Sequence, residues 1–138
     1  MNSVILVRSL LMARPELVAM LAAGNSSITA GIVDESTPLP ALGVSEVSSV
    51  DRVLLAGGIT TRVTSIVQVT VVATNYRQGK DVLAQVKFAL RNFVGTAPTS
   101  PPTLAVTCHL EGTGPDFEST SGFVAQTQDV TVTFEDAL

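Results

Sequence analysis

The feature that most constrains the fold is a run of strictly alternating apolar and polar side chains over residues 62–74. One parity holds Val63, Val67, Val69, Val71 and Ala73, and the other holds Arg62, Thr64, Gln68, Thr70 and Thr74. Because successive side chains of a β-strand point to opposite faces, this pattern predicts a strand with one buried and one solvated face. Such a strand needs other strands beside it and a second layer on its apolar face.

Other segments also read as strands, and the chain's 20 valines favour them because Val packs well on a pleated surface. In one of them, Leu42 and Val44 keep one parity and Val47 shifts it, which predicts a β-bulge. Ala56-Gly57-Gly58 then predicts a hairpin turn. The predicted strands are 28–33, 41–56, 103–111 and 123–135, and the predicted loops are 34–40, 96–102 and 112–122.

Two helical regions are predicted. Residues 3–12 carry apolar side chains at helical spacing behind a possible cap at Asn2 or Ser3, and Arg14-Pro15 separates them from a second short helix ending at Ala22. The main helix, about 77–93, follows a possible cap at Asn75 and is expected to end at Gly95. Its apolar face comprises Val82, Leu83, Val86, Ala89, Leu90 and Phe93.

Together these elements predict one α+β domain over residues 1–138. We expect a mostly antiparallel sheet with the two helical segments packed on one face, in the order α-β-β-β-α-β-β. The expected core comprises Val67, Val69, Val71, Val82, Leu83, Val86, Leu90, Val106, Val130 and Val132.

The inventory of reactive side chains is small, with one Cys and one His. A Cys/His zinc site needs three or four ligands, so the chain cannot form one by itself. Cys108 and His109 are neighbours on a predicted strand and would point to opposite faces, so they cannot act as a nucleophile and its base. We therefore expect Cys108 in the core, His109 at the surface, no catalytic residues, no metal and no cofactor.

Charge is divided unevenly along the chain, whose net charge is −4. Residues 1–91 contain all eight Lys and Arg, whereas residues 92–138 contain six acids and no base. Four bases, Arg77, Lys80, Lys87 and Arg91, lie on the main helix. They form either a solvated helix face or a basic patch that meets an acidic patch on a neighbouring copy.

The N-terminal residues 4–22 are apolar enough to raise the question of a targeting segment. Arg8, Arg14, Pro15 and Glu16 interrupt them, and no base precedes them. We therefore expect neither a signal peptide nor a membrane span.

Two aromatic residues extend the candidate interface. Phe88 lies about 200° around the main helix from Val86, on the side that holds the bases. A large exposed aromatic beside basic residues indicates contact with another protein, although isolated surface aromatics also occur. Phe117, in the predicted 112–122 loop, is a weaker case. The candidate interface residues are therefore Arg77, Lys80, Lys87, Phe88, Arg91 and Phe117.

The layout of these elements resembles the tail terminator (tail-completion or minor tail) proteins of long-tailed bacteriophages. The resemblance covers nearly the whole chain and rests on patterns of elements. A split N-terminal helix has a charged-residue–Pro step, and a short strand then leads through a Pro-containing loop to a second strand. A long alternating strand runs into a helix that begins with Tyr76, and an acidic loop divides the closing strands. The matching segments are LLMARPELVAML (10–21), ITAGIVDESTPLPALGVSEV (28–47), VQVTVVATNYRQGKDVLAQVKFALRNF (67–93) and LAVTCHLEGTGPDFEST (104–120).

The resemblance implies a structural virion protein without an active site. Tail terminators form a hexameric ring that caps the finished tail tube and joins it to the head-side connector. The implied partners are other copies of the chain, the tail tube protein and the head-tail connector protein, and the genomic DNA would pass through the ring without specific binding. The implied location is the tail or neck of the virion, after assembly in the host cytoplasm.

Two other interpretations remain open at this stage. The chain could be another neck or tail protein, such as a tube subunit or connector, or a small dimeric α+β ligand-binding domain. Solution mass separates a ring of six copies from a dimer.

Overall fold

The computed structural model describes residues 2–31, 33, 38–53, 60–99, 103–114, 117–118 and 123–137. At 52–53, 60–61, 103–104, 117–118 and 136–137 it describes the backbone alone. The predicted hairpin turn at Ala56-Gly57-Gly58 and most of the predicted 34–40 loop lie outside the described residues.

The N-terminal helix is split as the sequence predicts. Helix α1 spans Ser3–Met12, and the Asn2 side chain caps it by accepting a hydrogen bond from the Val4 N–H at 2.8 Å. Helix α2 spans Pro15–Met20, two residues shorter than predicted, with Pro15 at its first position. A 3₁₀ turn, Gly24–Ser27, then leads into the sheet.

Seven strands of the described chain form one sheet, in the order β1-β2-β3-β7-β5-β4, with β6 beside β7. The β1–β2 pair is parallel and all the others are antiparallel. The two long central strands, β3 and β7, pair over fourteen positions from Thr60↔Ala137 to Ala73↔Val124. The strand bounds are β1 Ile28–Ala30, β2 Ala41–Val53, β3 Thr60–Ala73, β4 Val94–Ala97, β5 Thr103–Thr113, β6 Phe117–Glu118 and β7 Val124–Ala137.

The predicted bulge is present in β2. Glu46 pairs with Val67 and Ser48 pairs with Ile66, so Val47 has no partner on β3. Val47 is 59% exposed, which is consistent with an extra residue pushed out of the ladder.

Helix α3 spans Tyr76–Leu90, so the predicted 77–93 helix ends three residues too late. The chain leaves the helix at Arg91, and Asn92 adopts a left-handed conformation (φ 51°), which Asn tolerates better than most residues. Gly95 does not end the helix, because it lies in β4. Phe93 still packs against the core from outside the helix, which explains why it fits the helical period.

Two short strands correct the predicted loops. β4 occupies the first part of the 96–102 segment and pairs with β5, and β6 lies inside the 112–122 segment and pairs with β7. β5 also runs two residues past the predicted end at 111, whereas β1 ends three residues before the predicted 33. β4 has four residues and β6 has two, too few to show a period-two pattern.

The core lies between one face of the sheet and the three helices. All ten residues predicted for it are buried, and they pack with Leu6, Leu11, Leu17 and Phe134. The opposite face of the sheet is exposed or half-buried along β3 and β7, so the alternation of 62–74 divides buried from solvated residues as predicted. The fold is therefore a two-layer α+β domain.

One close contact between α3 and the sheet involves a glycine. Gly79 is buried in the first turns of α3, and a Cβ there would lie 3.3 Å from the side-chain nitrogen of Gln126 on β7. A Cβ at this position would require the Gln126 amide to shift by a few tenths of an ångström. Gln126 is itself fully buried, and neither its Oε1 nor its Nε2 has a hydrogen-bond partner.

Candidate assembly interface

The solvated face of α3 carries an exposed line of residues at helical spacing: Arg77, Asp81, Ala84, Phe88 and Arg91. The opposite face buries Val82, Leu83, Val86 and Leu90 against the sheet. The Asn75 side chain caps the helix by accepting from the Gln78 N–H at 2.8 Å. The cap sets where α3 begins and its buried apolar face sets its rotation, so together they determine which side chains face outward.

Phe88, near the C-terminal end of this line, is 53% exposed and lies between two arginines. The guanidinium carbons of Arg14 and Arg91 lie 5.5 Å and 5.3 Å from the centroid of its ring. Both distances are within the range of cation–π attraction. The ring is therefore held in place at the surface by charges from two elements.

The structure places Arg14, which is not among the predicted interface residues, against the Phe88 ring. It lies at the break between α1 and α2, and its Nε donates to the Gln85 Oε1 at 2.9 Å. Its contact with Phe88 joins residues far apart in the sequence, which no local pattern predicts. The available sequence signal was the Arg14-Pro15 step, which predicts a break in the helix at that position.

The predicted interface residues divide into two groups along α3. Phe88 and Arg91 form one group with Arg14, and Lys87 is a half-buried neighbour in the same turn. Lys80 belongs to the other end of the helix, where its ammonium nitrogen lies 5.1 Å from the centroid of the Tyr76 ring. Arg77 is exposed at that end. For Phe117 the structure gives only the backbone, which pairs with Ala125.

A groove runs beside the Phe88 group, where the α1–α2 break, the C-terminal end of α3 and the start of β4 meet. Its volume is about 410 Å³. Except for Arg14 and Thr96, the side chains that line it are apolar: Leu10, Ala13, Pro15, Ala89, Phe93 and Pro98. We call this feature the arginine-flanked groove, because Arg14 lies on its wall and Arg91 stacks on the adjacent Phe88.

The open face of the sheet holds the acids of β5 and β7. Glu111 accepts a hydrogen bond from the Thr131 hydroxyl at 2.7 Å, and Asp129 accepts one from the Gln68 amide at 3.2 Å. Glu135 lies 3.9 Å from Arg62 across the β3–β7 pair. The surroundings are short polar residues, chiefly threonines, so this face is a hydroxyl-rich surface with scattered carboxylates.

Cys108 and His109 occupy opposite faces of β5, as predicted. Cys108 is 4% exposed, and burial raises its pKa to about 12. A thiol in that state carries almost no thiolate at neutral pH and is a poor nucleophile. His109 is exposed on the open face. Within the described ranges there is no group of three or more His, Cys, Asp or Glu side chains placed to hold a metal ion.

A shallow polar depression near the start of α1 has a structural explanation. The Glu46 Oε1 accepts from the Ser3 hydroxyl at 2.9 Å, and the buried Ser65 hydroxyl lies 3.4 Å from the same oxygen. These contacts tie the first turn of α1 to β2 and β3. Among the residues that the structure describes, no helix has the length and apolar character that crossing a membrane requires.

Comparisons with known proteins give a likeness in fold alone. No family model matches the chain. No curated protein matches it by sequence either. Among solved structures, a chain from the virion of a native gene transfer agent (GTA) particle superposes with a TM-score of 0.64 at 14% identity. The match covers 96% of this chain and 93% of that chain, so the two share the fold from end to end.

Proposed function

We propose that this protein is a structural component of a phage or phage-like virion, and that it forms a ring, of six copies, which terminates the tail tube. The observation that carries the proposal is the shared fold, over nearly the full length of both chains, with a chain from the virion of a gene transfer agent particle. The resemblance in element layout to tail terminator proteins narrows the proposal from virion component to terminator.

The surface of the molecule supports assembly. A ring is built from head-to-tail contacts, in which one patch meets a different patch on the next copy. The α3 surface offers bases and an exposed aromatic, whereas the carboxylates of Glu111, Asp129 and Glu135 lie on the open face of the sheet. Complementary patches on one chain are what a head-to-tail ring requires.

In this role the ring contacts the tail tube protein on one side and the head-side connector protein on the other. It works in the tail or neck of the virion after assembly in the host cytoplasm, and it carries out no reaction. The genome passes through its opening, which the carboxylate-bearing open face of the sheet lines or borders.

The test is the solution mass with and without the tube protein of the same virion. We expect a species of six times the 14.3 kDa chain mass, alone or when tube protein is added. A ring on the ends of tubes, seen by electron microscopy, would support the terminator role. A dimer in both conditions would contradict it and favour a ligand-binding domain.

A further inference from the structure

We propose that the arginine-flanked groove receives the Asp116-Phe117-Glu118 segment of a second copy of this chain. The inference rests on the proposed ring and names the contact that builds it.

The groove has unused binding capacity for such a segment. Its floor is apolar, and neither Arg14 nor Arg91 forms an ion pair with any carboxylate in the described part of the chain. Their cation–π contacts with Phe88 hold both guanidinium groups beside the opening. An apolar groove with one cation on its wall and another beside it favours an acidic segment that carries an apolar side chain.

The chain contains one segment with that chemistry. Of its five phenylalanines, only Phe117 has an acidic residue on each side, Asp116 and Glu118. Phe134, which is followed by Glu135 and Asp136, is fully buried in the core. The chain's own sequence therefore supplies the aromatic anchor and both counter-charges.

The segment and the groove lie at opposite ends of one molecule. The backbone of β6 pairs with Val124 and Ala125, beside the end of β3 where α3 begins. The groove lies at the other end of α3, at Ala89 and Phe93. Thirteen residues of helix separate Tyr76 from Ala89, which is about 20 Å at 1.5 Å per residue. A segment tied to β7 cannot cross that distance, so the contact must join two copies.

This separation makes the contact head-to-tail. Each copy presents its segment at one end of α3 and its groove at the other, so each interface leaves one free segment and one free groove. Such contacts close only when a ring is complete. A buried aromatic anchor of this kind carries a large share of an interface's binding free energy.

The first experiment uses cysteine cross-linking between two variants. Ala13→Cys places a thiol on the exposed rim of the groove, and Ser119→Cys places one next to the segment without changing it. Native Cys108 does not compete, because it is buried. We expect a disulfide-linked heteropair when the variants are mixed under mild oxidation. Ala22→Cys, at another exposed alanine outside the groove, is the matched control and should give no such pair.

Measuring the mass of the same samples separates the contact from the ring. A ring that forms without a disulfide between the Ala13→Cys and Ser119→Cys variants would overturn the groove contact and leave the ring intact. The same holds if Ala22→Cys forms as much disulfide with Ser119→Cys as Ala13→Cys does. A heteropair in a species that never exceeds two copies would support the contact and contradict the ring. No association at any concentration would contradict both.

The second experiment exchanges charge across the interface. Arg91→Glu alone and Glu118→Arg alone should each weaken assembly about fivefold, and the double variant should restore it to within about twofold. Phe117→Ala should weaken assembly by at least about thirtyfold. If the double variant assembles no better than the two single variants, the groove contact is wrong. Circular dichroism must first show that each variant is folded.

Discussion

Burial of the Cys108 thiol links the stability of the fold to alkaline pH. Its pKa is raised from 9.0 to about 12 in the folded protein, so the unfolded chain loses this proton first. The stabilising effect is complete below pH 9 and is lost, at about 1.4 kcal/mol per pH unit, as the pH rises towards 12. We expect denaturant unfolding to show a steeper fall between pH 8 and 10.5 for the native protein than for Cys108→Ala.

The Cys108→Ala variant controls for the other groups that titrate in that range, and loss of its buried sulfur lowers stability equally at both pH values. Parallel pH profiles for the two proteins would contradict the prediction. A thiol reagent should also modify the native protein only after unfolding.

Gln126 is the residue whose replacement should stabilise the protein. Its amide is fully buried under α3 without a hydrogen-bond partner, which costs about 1–3 kcal/mol in desolvation. Gln126→Met keeps the length and flexibility of the side chain and removes both polar atoms. We expect the free energy of unfolding to rise by about 1–2 kcal/mol.

Gln128 is the matched control, because its buried amide is hydrogen-bonded: its Nε2 donates to the Gly112 and Asp129 carbonyls, and its Oε1 accepts from Thr113. Gln128→Met should therefore destabilise the protein. A loss of stability in both variants would show that Gln126 is paired in solution.

At the scale of elements, we expect β2 to tolerate deletion of its bulged residue, Val47. Deleting Val47 removes the residue that has no partner on β3. Glu46 and Ser48 then become neighbours in the chain, and their partners Val67 and Ile66 are neighbours already. Every other side chain of the strand keeps its face. We expect the deletion variant to fold with a change in stability within about 1 kcal/mol, measured by denaturant unfolding.

Deleting Gln68 from β3 is the contrasting case. It would reverse the parity of part of a strand with buried valines on one face, and the variant should not fold. Equal effects of the two deletions would contradict the register described above.

Most of the elements that the sequence predicts have enough residues to display a period. The alternation of 62–74, the parity shift at Val47 and the interruption at Arg14-Pro15 are each local patterns, and each is confirmed. The structure adds β4 and β6, which owe their conformation to their partners β5 and β7. The predicted end of α3 is three residues too late because Phe93 packs against the core from outside the helix, a tertiary contact that fits the helical period.

In the candidate interface, too, local patterns could be predicted and tertiary contacts could not. Exposure of Arg77, Phe88 and Arg91 could be predicted, because it depends on the angular position of each residue on one helix. The arginine-flanked groove could not be predicted, because Leu10, Ala89 and Pro98 come together only through tertiary packing.

For the whole molecule, the proposed ring should depend on charge. Lys87→Glu combined with Arg91→Glu reverses the basic end of α3, and we expect assembly to weaken while the circular dichroism spectrum is unchanged. The native ring should also loosen between low and high salt, because exposed charges are screened. Unchanged ring mass at low protein concentration would contradict this.

Ala22→Glu combined with Ala23→Glu adds two carboxylates at exposed alanines away from α3 and serves as the control. Its assembly should match that of the native protein.

If the proposed ring lets the genome through, its opening must not bind DNA tightly. Contacts of Lys and Arg with phosphate give strong, salt-dependent binding, which would retain DNA in the opening. Because Glu111, Asp129 and Glu135 lie on the open face of the sheet, we expect no measurable affinity for double-stranded DNA at physiological salt. Micromolar or tighter binding in a fluorescence anisotropy assay, or a ring with Lys80, Lys87 and Arg91 lining its hole, would contradict the prediction.

The central position of β7 also determines when the domain can form during synthesis. β7 lies between β3 and β5, yet it is made by the ribosome after both of them. A nascent chain that has not reached residue 124 leaves β3 without its fourteen-position partner and β5 without the neighbour that joins it to the rest of the sheet. Folding therefore waits for translation of β7, and until then the exposed strand edges need protection from pairing with those of other nascent chains.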